Sequence, residues 1–173
     1  MTRRILPSAT LLALLLLGSG TALAQRAILV VRHAERAREG PENDIPLSKL
    51  GAEHAARLAE ILKNAGVTAV YATDTTRARQ TGEPLAQLAK LSIKTYDTRD
   101  EKGNLTAVPF VSKLKTDERN GVVLVVGHSN TVPDVIAAYG VTEPVRIGPD
   151  DYGDLFVVVP EATGAPLLLR LRF

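Results

Sequence analysis

Ala27-Ile28-Leu29-Val30-Val31, followed at once by Arg32-His33, is the stretch that decides the fold. Its apolar run, with the β-branched Ile28, Val30 and Val31, lacks the in-out alternation of a half-exposed strand, so a strand buried on both faces is expected. Strands of that kind belong to parallel sheets covered by helices, and the abrupt change to Arg32 and His33 puts polar groups at the carboxyl end of this one.

Outward from that strand the chain alternates. A loop rich in Gly, Pro, Asn and Asp (Gly40 to Pro46) leads to Ser48, which stands before a helical pattern with Ala52, Ala55, Leu58, Ala59 and Leu62 on one face. Asn64 to Gly66 stop that helix, Val67 to Tyr71 reads as a short strand, Arg77 to Lys90 as a second amphipathic helix, and Ser92 to Tyr96 as a third strand. Residues 107 to 119 form a weaker helical pattern, Val122 to Val126 is the strongest strand signal, and Gly127 to Asn130 turns into a helix through about Tyr139. Leu155 to Val159 and Leu167 to Leu171 flank the turn-like Pro160 to Pro166 as a terminal hairpin or strand pair. This order predicts an α/β fold, a three-layer α/β/α sandwich with a mainly parallel central sheet, which binds ligands outside the carboxyl ends of its strands.

The chain's 173 residues suit one domain. Arg3 and Arg4, the apolar run from about Ile5 to Leu17 and the ending Ala22-Leu23-Ala24 read as a secretory signal peptide over residues 1–24, leaving a domain over 25–173. The apolar run is shorter than the roughly 20 residues a spanning helix needs, so a retained anchor is the weaker reading and a periplasmic or secreted protein is expected. With no cysteine in the chain, neither lipid attachment at the cleavage point nor a disulfide is available. Loss of residues 1–24 removes Arg3 and Arg4, bringing the 21 basic side chains level with the 19 acidic ones. The basic pI of about 9.0 therefore owes much to the leader, and no basic, aromatic-laced patch argues for nucleic acid. No stable membrane insertion of the remaining chain is expected, and a monomer is assumed, although the apolar end near Leu167 to Phe173 leaves a sheet edge open to pairing.

Three polar segments follow strands: Arg32-His33-Ala34-Glu35, Thr73 to Thr81, and Gly127-His128-Ser129-Asn130. Singly, a strand-end His is more often a hydrogen-bonding structural residue and an Arg a solvated charge. Their convergence changes the reading, because guanidinium forks match phosphoryl oxygens and a neutral imidazole can attack phosphorus. His54 within a helix, Arg79 on a flanking position and Glu35 in the loop keep the structural reading, and Ser129 and Asn130 are candidates to line a pocket.

Val30-Val31-Arg32-His33-Ala34-Glu35 and Gly127-His128 resemble the two histidine motifs of the histidine phosphatase superfamily, also called phosphoglycerate mutase-like. Thr73 to Thr81 is similar to that family's Ser-x-x-x-Arg-Ala-x-Gln-Thr block, with Thr73 in place of Ser, and Pro46 to Gly51 is similar to its Pro-Leu-Thr-x-x-Gly helix start. The resemblance spans roughly residues 27 to 139. It implies a phosphomonoesterase in which His33 attacks phosphorus, Arg32, Arg77 and His128 bind the phosphoryl oxygens, and water hydrolyses the phosphohistidine. No cofactor or metal is implied, and the partner is a phosphorylated substrate of unstated identity. The family's general acid is a Glu after the third strand, within a pattern this chain lacks. Asp97, Asp100 and Glu101 are the local candidates, and Glu101 is favoured by spacing.

Ser129 in a strand-to-helix turn suggests a serine hydrolase, but Thr131 replaces the usual glycine and no His follows Ser129, since the three histidines are His33, His54 and His128. His33-Ala34-Glu35 lacks the cysteine partners of a zinc deaminase, and no HExxH or Gly-Lys-Ser/Thr phosphate loop is present. A silent phosphate- or ligand-binding module of the same fold is the remaining alternative. Mutase chemistry fits less well, because the chain is short and an exported protein does not meet glycolytic substrates.

Overall fold

The computed structural model describes residues 27–41, 44–100, 102–161 and 163–173, so the leader reading over 1–24 lies outside the described residues. The elements run β1 (Ala27–Arg32), α1 (Lys49–Leu62), β2 (Val67–Thr73), α2 (Thr76–Ala89), β3 (Ile93–Tyr96), α3 (Val108–Asp117), β4 (Val122–Gly127), α4 (Thr131–Ala138), β5 (Asp154–Val159) and β6 (Leu167–Arg172). Among the described residues no helix is long and apolar enough to cross a membrane.

The six strands form one sheet in the order β3-β2-β4-β1-β5-β6. β3, β2, β4 and β1 are parallel, and β5 and β6 close the sheet as an antiparallel pair, the terminal hairpin expected from sequence. From β1 to β2 to β3 the chain steps one way across the sheet, and from β3 to β4 it steps back. Because such crossovers are right-handed, the reversal sends α1 and α2 to one face and α3 to the other, which yields the three layers.

β1 lies between β4 and β5, and Ile28 to Val31 are buried on both faces as the unbroken apolar run predicts. Ile28 and Val30 join the core under α3 and α4 with Val125, Phe110 and Ile136, whereas Leu29 and Val31 pack with Leu58, Leu85 and Val126 under α1 and α2. Each fully buried side chain of this size contributes on the order of 1.5–3 kcal/mol of apolar burial. The reversal of the crossovers falls between β1 and β4: the chain leaving β1 turns toward α1 and the chain leaving β4 toward α4, opening a crevice at their carboxyl ends.

Local chemistry starts the helices where the sequence indicates. Ser48 caps α1 by accepting the Gly51 N–H at 3.0 Å, and Thr75 caps α2 through the Ala78 N–H. α2 stops at Lys90, which takes a left-handed conformation (φ 56°) and returns its N–H to the last turn. Gly51 is required by close approach. A Cβ there would lie 2.1 Å from the carbonyl oxygen of Glu35, in the loop that leaves β1, and the same carbonyl accepts the Ser48 N–H at 2.8 Å. The glycine of the Pro46-to-Gly51 motif thus presses α1 against the segment that follows His33. Gly51→Ala is expected to cost about 3 kcal/mol, measured as a lower urea midpoint, because rigid backbone must move to admit the methyl group.

Candidate active site

β1 and β4 pair in parallel as far as Arg32 opposite Gly127, and the His33 N–H then donates to the Gly127 carbonyl at 2.8 Å. That bond sets His33 beside His128, with ring centroids 5.1 Å apart and planes at 67°. Gly127 lets Thr131 and Tyr96 close on the end of β4: a Cβ would meet the Thr131 hydroxyl at 2.6 Å and the Tyr96 hydroxyl at 2.8 Å. The Thr131 hydroxyl instead accepts the His128 N–H at 2.8 Å, turning the chain from β4 into α4.

His33 is buried, and its Nδ1–H donates to the Ala34 carbonyl at 2.7 Å, leaving Nε2 as the ring position with a free lone pair. Burial pushes the His33 pKa down to about 3, with His128, Arg77 and Arg32 adding repulsion against a charged ring and the Ala34 hydrogen bond opposing. His128 is pushed down to about 4, first by burial and then by Arg77 and Arg32, and its Nε2 lies 2.8 Å from the Thr73 hydroxyl at the end of β2. Both imidazoles are therefore neutral at physiological pH.

Arg32 is held by the turn before β5. Its Nη1 donates to the carbonyls of Gly148 at 2.8 Å and Asp151 at 3.2 Å, its Nη2 donates to the Tyr152 hydroxyl at 3.2 Å, and the guanidinium carbon sits 4.1 Å from the Tyr152 ring centroid. Arg77 stands in the first turn of α2. Burial pushes its guanidinium down, Asp44 opposes that, and Arg36 and Arg32 add repulsion. The Nε–H groups of Arg32 and Arg77 are both buried with no partner among the described residues, an arrangement an anion between them would relieve.

The rest of the Thr73-to-Thr81 segment fastens this arrangement. The Thr81 hydroxyl donates to the Arg77 carbonyl at 2.8 Å and accepts the Ala34 N–H at 3.0 Å, while Gln80 accepts the Leu47 N–H at 2.8 Å. One helical turn thus ties Arg77, the loop after His33 and the approach to α1 together. Asp44 adds a link from the loop before α1, accepting from the Thr76 N–H and hydroxyl, which hold its carboxyl below its ordinary pKa.

Arg32, His33, Arg36, Arg77, His128 and Tyr152 surround a cleft of about 600 Å³. A second cleft of about 610 Å³ opens on the other side of His128, between Thr73, Asp74, Asp97, Arg99 and Leu105. The four residues expected to act together, Arg32, His33, Arg77 and His128, meet in the first cleft, and Ser129 and Asn130 line it as anticipated. Arg79 is outside it, paired with Asp74 at 3.7 Å, and His54 pairs with Glu35 at 2.9 Å.

Of the carboxylates considered as proton donor, Glu101 lies outside the described residues. Asp97 borders the second cleft and accepts the Arg99 N–H at 3.0 Å. Asp100 is committed to its own turn, accepting from the Asn104 side chain and from the N–H groups of Asn104 and Lys102. Those bonds, led by the Asn104 side chain, hold its pKa down, opposite to what a proton donor requires. Sequence reasoning missed Tyr152 and Arg36. A signal existed for the first: Pro149 to Gly153 is turn-rich and opens an antiparallel strand, so it lies at the same sheet end as the carboxyl ends of the parallel strands.

The fold and site define an α/β/α sandwich with paired neutral imidazoles between guanidiniums at the sheet's switch point. Residues 28–102 match the family model described as histidine phosphatase superfamily (branch 1). The fold is shared with the protein histidine phosphatase SixA complexed with tungstate, at 20% identity and a TM-score of 0.67, covering 84% of this chain and 96% of that one. It is also shared with a mycobacterial glucosyl-3-phosphoglycerate phosphatase with inorganic phosphate, at 18% identity and a TM-score of 0.62 over 84% and 95% of the two chains. A mutant phosphoserine phosphatase from Entamoeba histolytica in complex with phosphoserine aligns at 15% identity with a TM-score of 0.63, over 82% and 94%. No curated protein sequence matches significantly. Residues 28–102 thus carry the match to the histidine phosphatase superfamily, and the fold over most of the chain is the one these phosphatase structures share.

The depressed imidazole pKa values have a consequence for stability. Unfolded histidines protonate near 6.5 and the folded rings near 3 and 4, so between those values the unfolded chain binds more protons. Stability therefore falls as pH drops from 6.5 toward 4, by at most about 1.4 kcal/mol per pH unit for each ring. Urea midpoints measured across that window should fall less steeply in His33→Asn than in wild type, and the wild-type His33 and His128 ring resonances should not titrate between pH 5 and 8.

Proposed function

We propose that this chain is an exported phosphomonoesterase that forms a phosphohistidine on His33. The observation that supports it most is the neutral His33 ring, with Nδ1 committed to Ala34, beside two guanidiniums whose buried Nε–H groups have no partner among the described residues. The family match over residues 28–102 and the phosphatases among the structural neighbours agree with this reading. Export rests on the leader-like N-terminus alone.

In the first step the Nε2 lone pair attacks phosphorus, the bond from phosphorus to the leaving oxygen breaks, and that oxygen takes a proton from a carboxylic acid. Glu101 is assigned that proton by its spacing after β3, with Asp97 on the adjoining cleft as the alternative. Arg32, Arg77 and His128 hydrogen-bond the equatorial oxygens, whose charge is greatest in the transition state. In the second step the carboxylate takes a proton from water, the oxygen attacks phosphorus, the P–N bond breaks and inorganic phosphate leaves with His33 neutral again. The guanidiniums supply the positive charge in this scheme and the neutral His128 ring a hydrogen bond, so activity is expected to persist in EDTA.

Two measurements test the proposal. Wild type should hydrolyse a generic aryl phosphate in EDTA and yield an acid-labile phosphoenzyme. His33→Ala should lose about a thousandfold or more of kcat together with the trapped phosphate, and Arg77→Ala about a hundredfold. Full activity without His33 would overturn the mechanism. Glu101→Gln should slow an alkyl phosphate by about a hundredfold while sparing 4-nitrophenyl phosphate, whose leaving group needs no proton; equal slowing of both would remove Glu101 from that role.

A further inference from the structure

We infer that Arg36, with the side chains of Ser129 and Asn130, forms a second anion-binding position in the His33 cleft. Resting on the phosphatase reading, this position takes a carboxylate or phosphate carried by the part of the substrate that is not transferred.

Arg36 is seated by backbone. It bridges to Leu47 across the loop, and the neighbouring Ala37 N–H donates to the Pro46 carbonyl at 2.9 Å, which fixes where its side chain departs. Its guanidinium borders the cleft with His33 and Arg77 and makes no hydrogen bond or ion pair among the described residues. The other arginines near the two clefts are engaged differently: Arg32 on the carbonyls of the turn before β5, Arg79 on Asp74, and Arg99 on the Gly103 carbonyl at 2.9 Å. Arg36 is thus an exposed cation with no partner among the described residues that repels the neighbouring Arg77, and an anion held between the two would relieve that repulsion.

The wall next to it supplies neutral donors. Asn130 occupies the N-cap position of α4 yet makes no capping bond, because the Val132 N–H is already given to the His128 carbonyl at 3.0 Å and Pro133 has no N–H to offer. Neither the Asn130 nor the Ser129 side chain has a partner among the described residues, and both line the cleft. A cap residue that does not cap, facing a cleft beside a free guanidinium, is available to a ligand.

The charges decide the class of ligand. A phosphoryl dianion between Arg32 and Arg77 balances two guanidiniums, and Asp44, whose charge acts on Arg77, is held by the Thr76 N–H and hydroxyl and does not pair with Arg36. The opposing charge on the same cleft is the Asp150 carboxylate, which is not within ion-pairing distance of Arg36. A second negative group on the substrate answers Arg36, and Asp150 weakens that attraction without abolishing it.

The test is calorimetric binding of 4-phosphonobutyrate and butylphosphonate, which share a phosphonate and a chain and differ in the carboxylate. Wild type is expected to bind 4-phosphonobutyrate about tenfold more tightly at low salt, with the preference shrinking as salt rises. Arg36→Gln should bring the ratio to about one, and Asp150→Asn, which removes the opposing carboxylate, should raise it above wild type. A wild-type ratio of one, a ratio unchanged by Arg36→Gln, or no binding of either phosphonate overturns the inference. Aryl phosphate hydrolysis on the same preparations separates the two readings. Turnover with a ratio of one leaves the phosphatase and removes the second anion position, whereas a tenfold ratio without turnover does the reverse.

Discussion

The parallel pairing of β1 with β4 runs in register from Ala27 opposite Val122 to Arg32 opposite Gly127, and the His33 N–H to Gly127 carbonyl bond extends it by one step. Side chains of successive strand residues alternate between faces, so a slip of one residue would exchange the two cores and part the imidazoles. The register is held because Ile28 and Val30 have a core to fill on one side and Leu29 and Val31 on the other. Burial of ordinary aliphatic side chains thus sets the 5.1 Å spacing of two histidines.

That placement is electrostatically costly. Two imidazoles and two partly buried guanidiniums share a desolvated crevice, and the protein answers by keeping the rings neutral and by giving Arg32 to backbone carbonyls rather than to a carboxylate. A paired carboxylate would neutralise the cleft and compete with any anionic ligand. Carbonyl dipoles and the Tyr152 ring hold the guanidinium without cancelling its charge, so the cleft keeps a positive field.

The surrounding contacts are cooperative. Thr81 joins Arg77 to the loop after His33, Gln80 joins α2 to the approach of α1, and Gly51 lets α1 rest on the Glu35 carbonyl. The residues of the Arg77-Ala78-Arg79-Gln80-Thr81 segment therefore divide their work: Arg77 faces the cleft, Gln80 and Thr81 fasten it, Ala78 is buried in the core, and Arg79 turns outward to Asp74.

The sequence by itself determined the alternation of strands and helices, the buried strand that ends in Arg32-His33, and the identity of the polar groups at the strand ends, because strand burial and helix periodicity are short-range properties readable in a few neighbouring residues. The four residues expected in the cleft were legible because each sits at the carboxyl end of a parallel strand or just beyond it, and that end of such a sheet is where loops converge. Tyr152, Arg36 and the tie through Thr81 were not legible in this way. Tyr152 meets Arg32 across 120 residues of chain, and Thr81 reaches Ala34 across 47, through strand order and crossover handedness that no local pattern encodes. The same holds for Asp100, whose carboxylate looks like its neighbours in sequence and is set apart only by the turn that closes around it. Residue types and local periods belong to the sequence, whereas burial, pairing and the depressed basicity of His33 arise only when distant segments exclude water from one another.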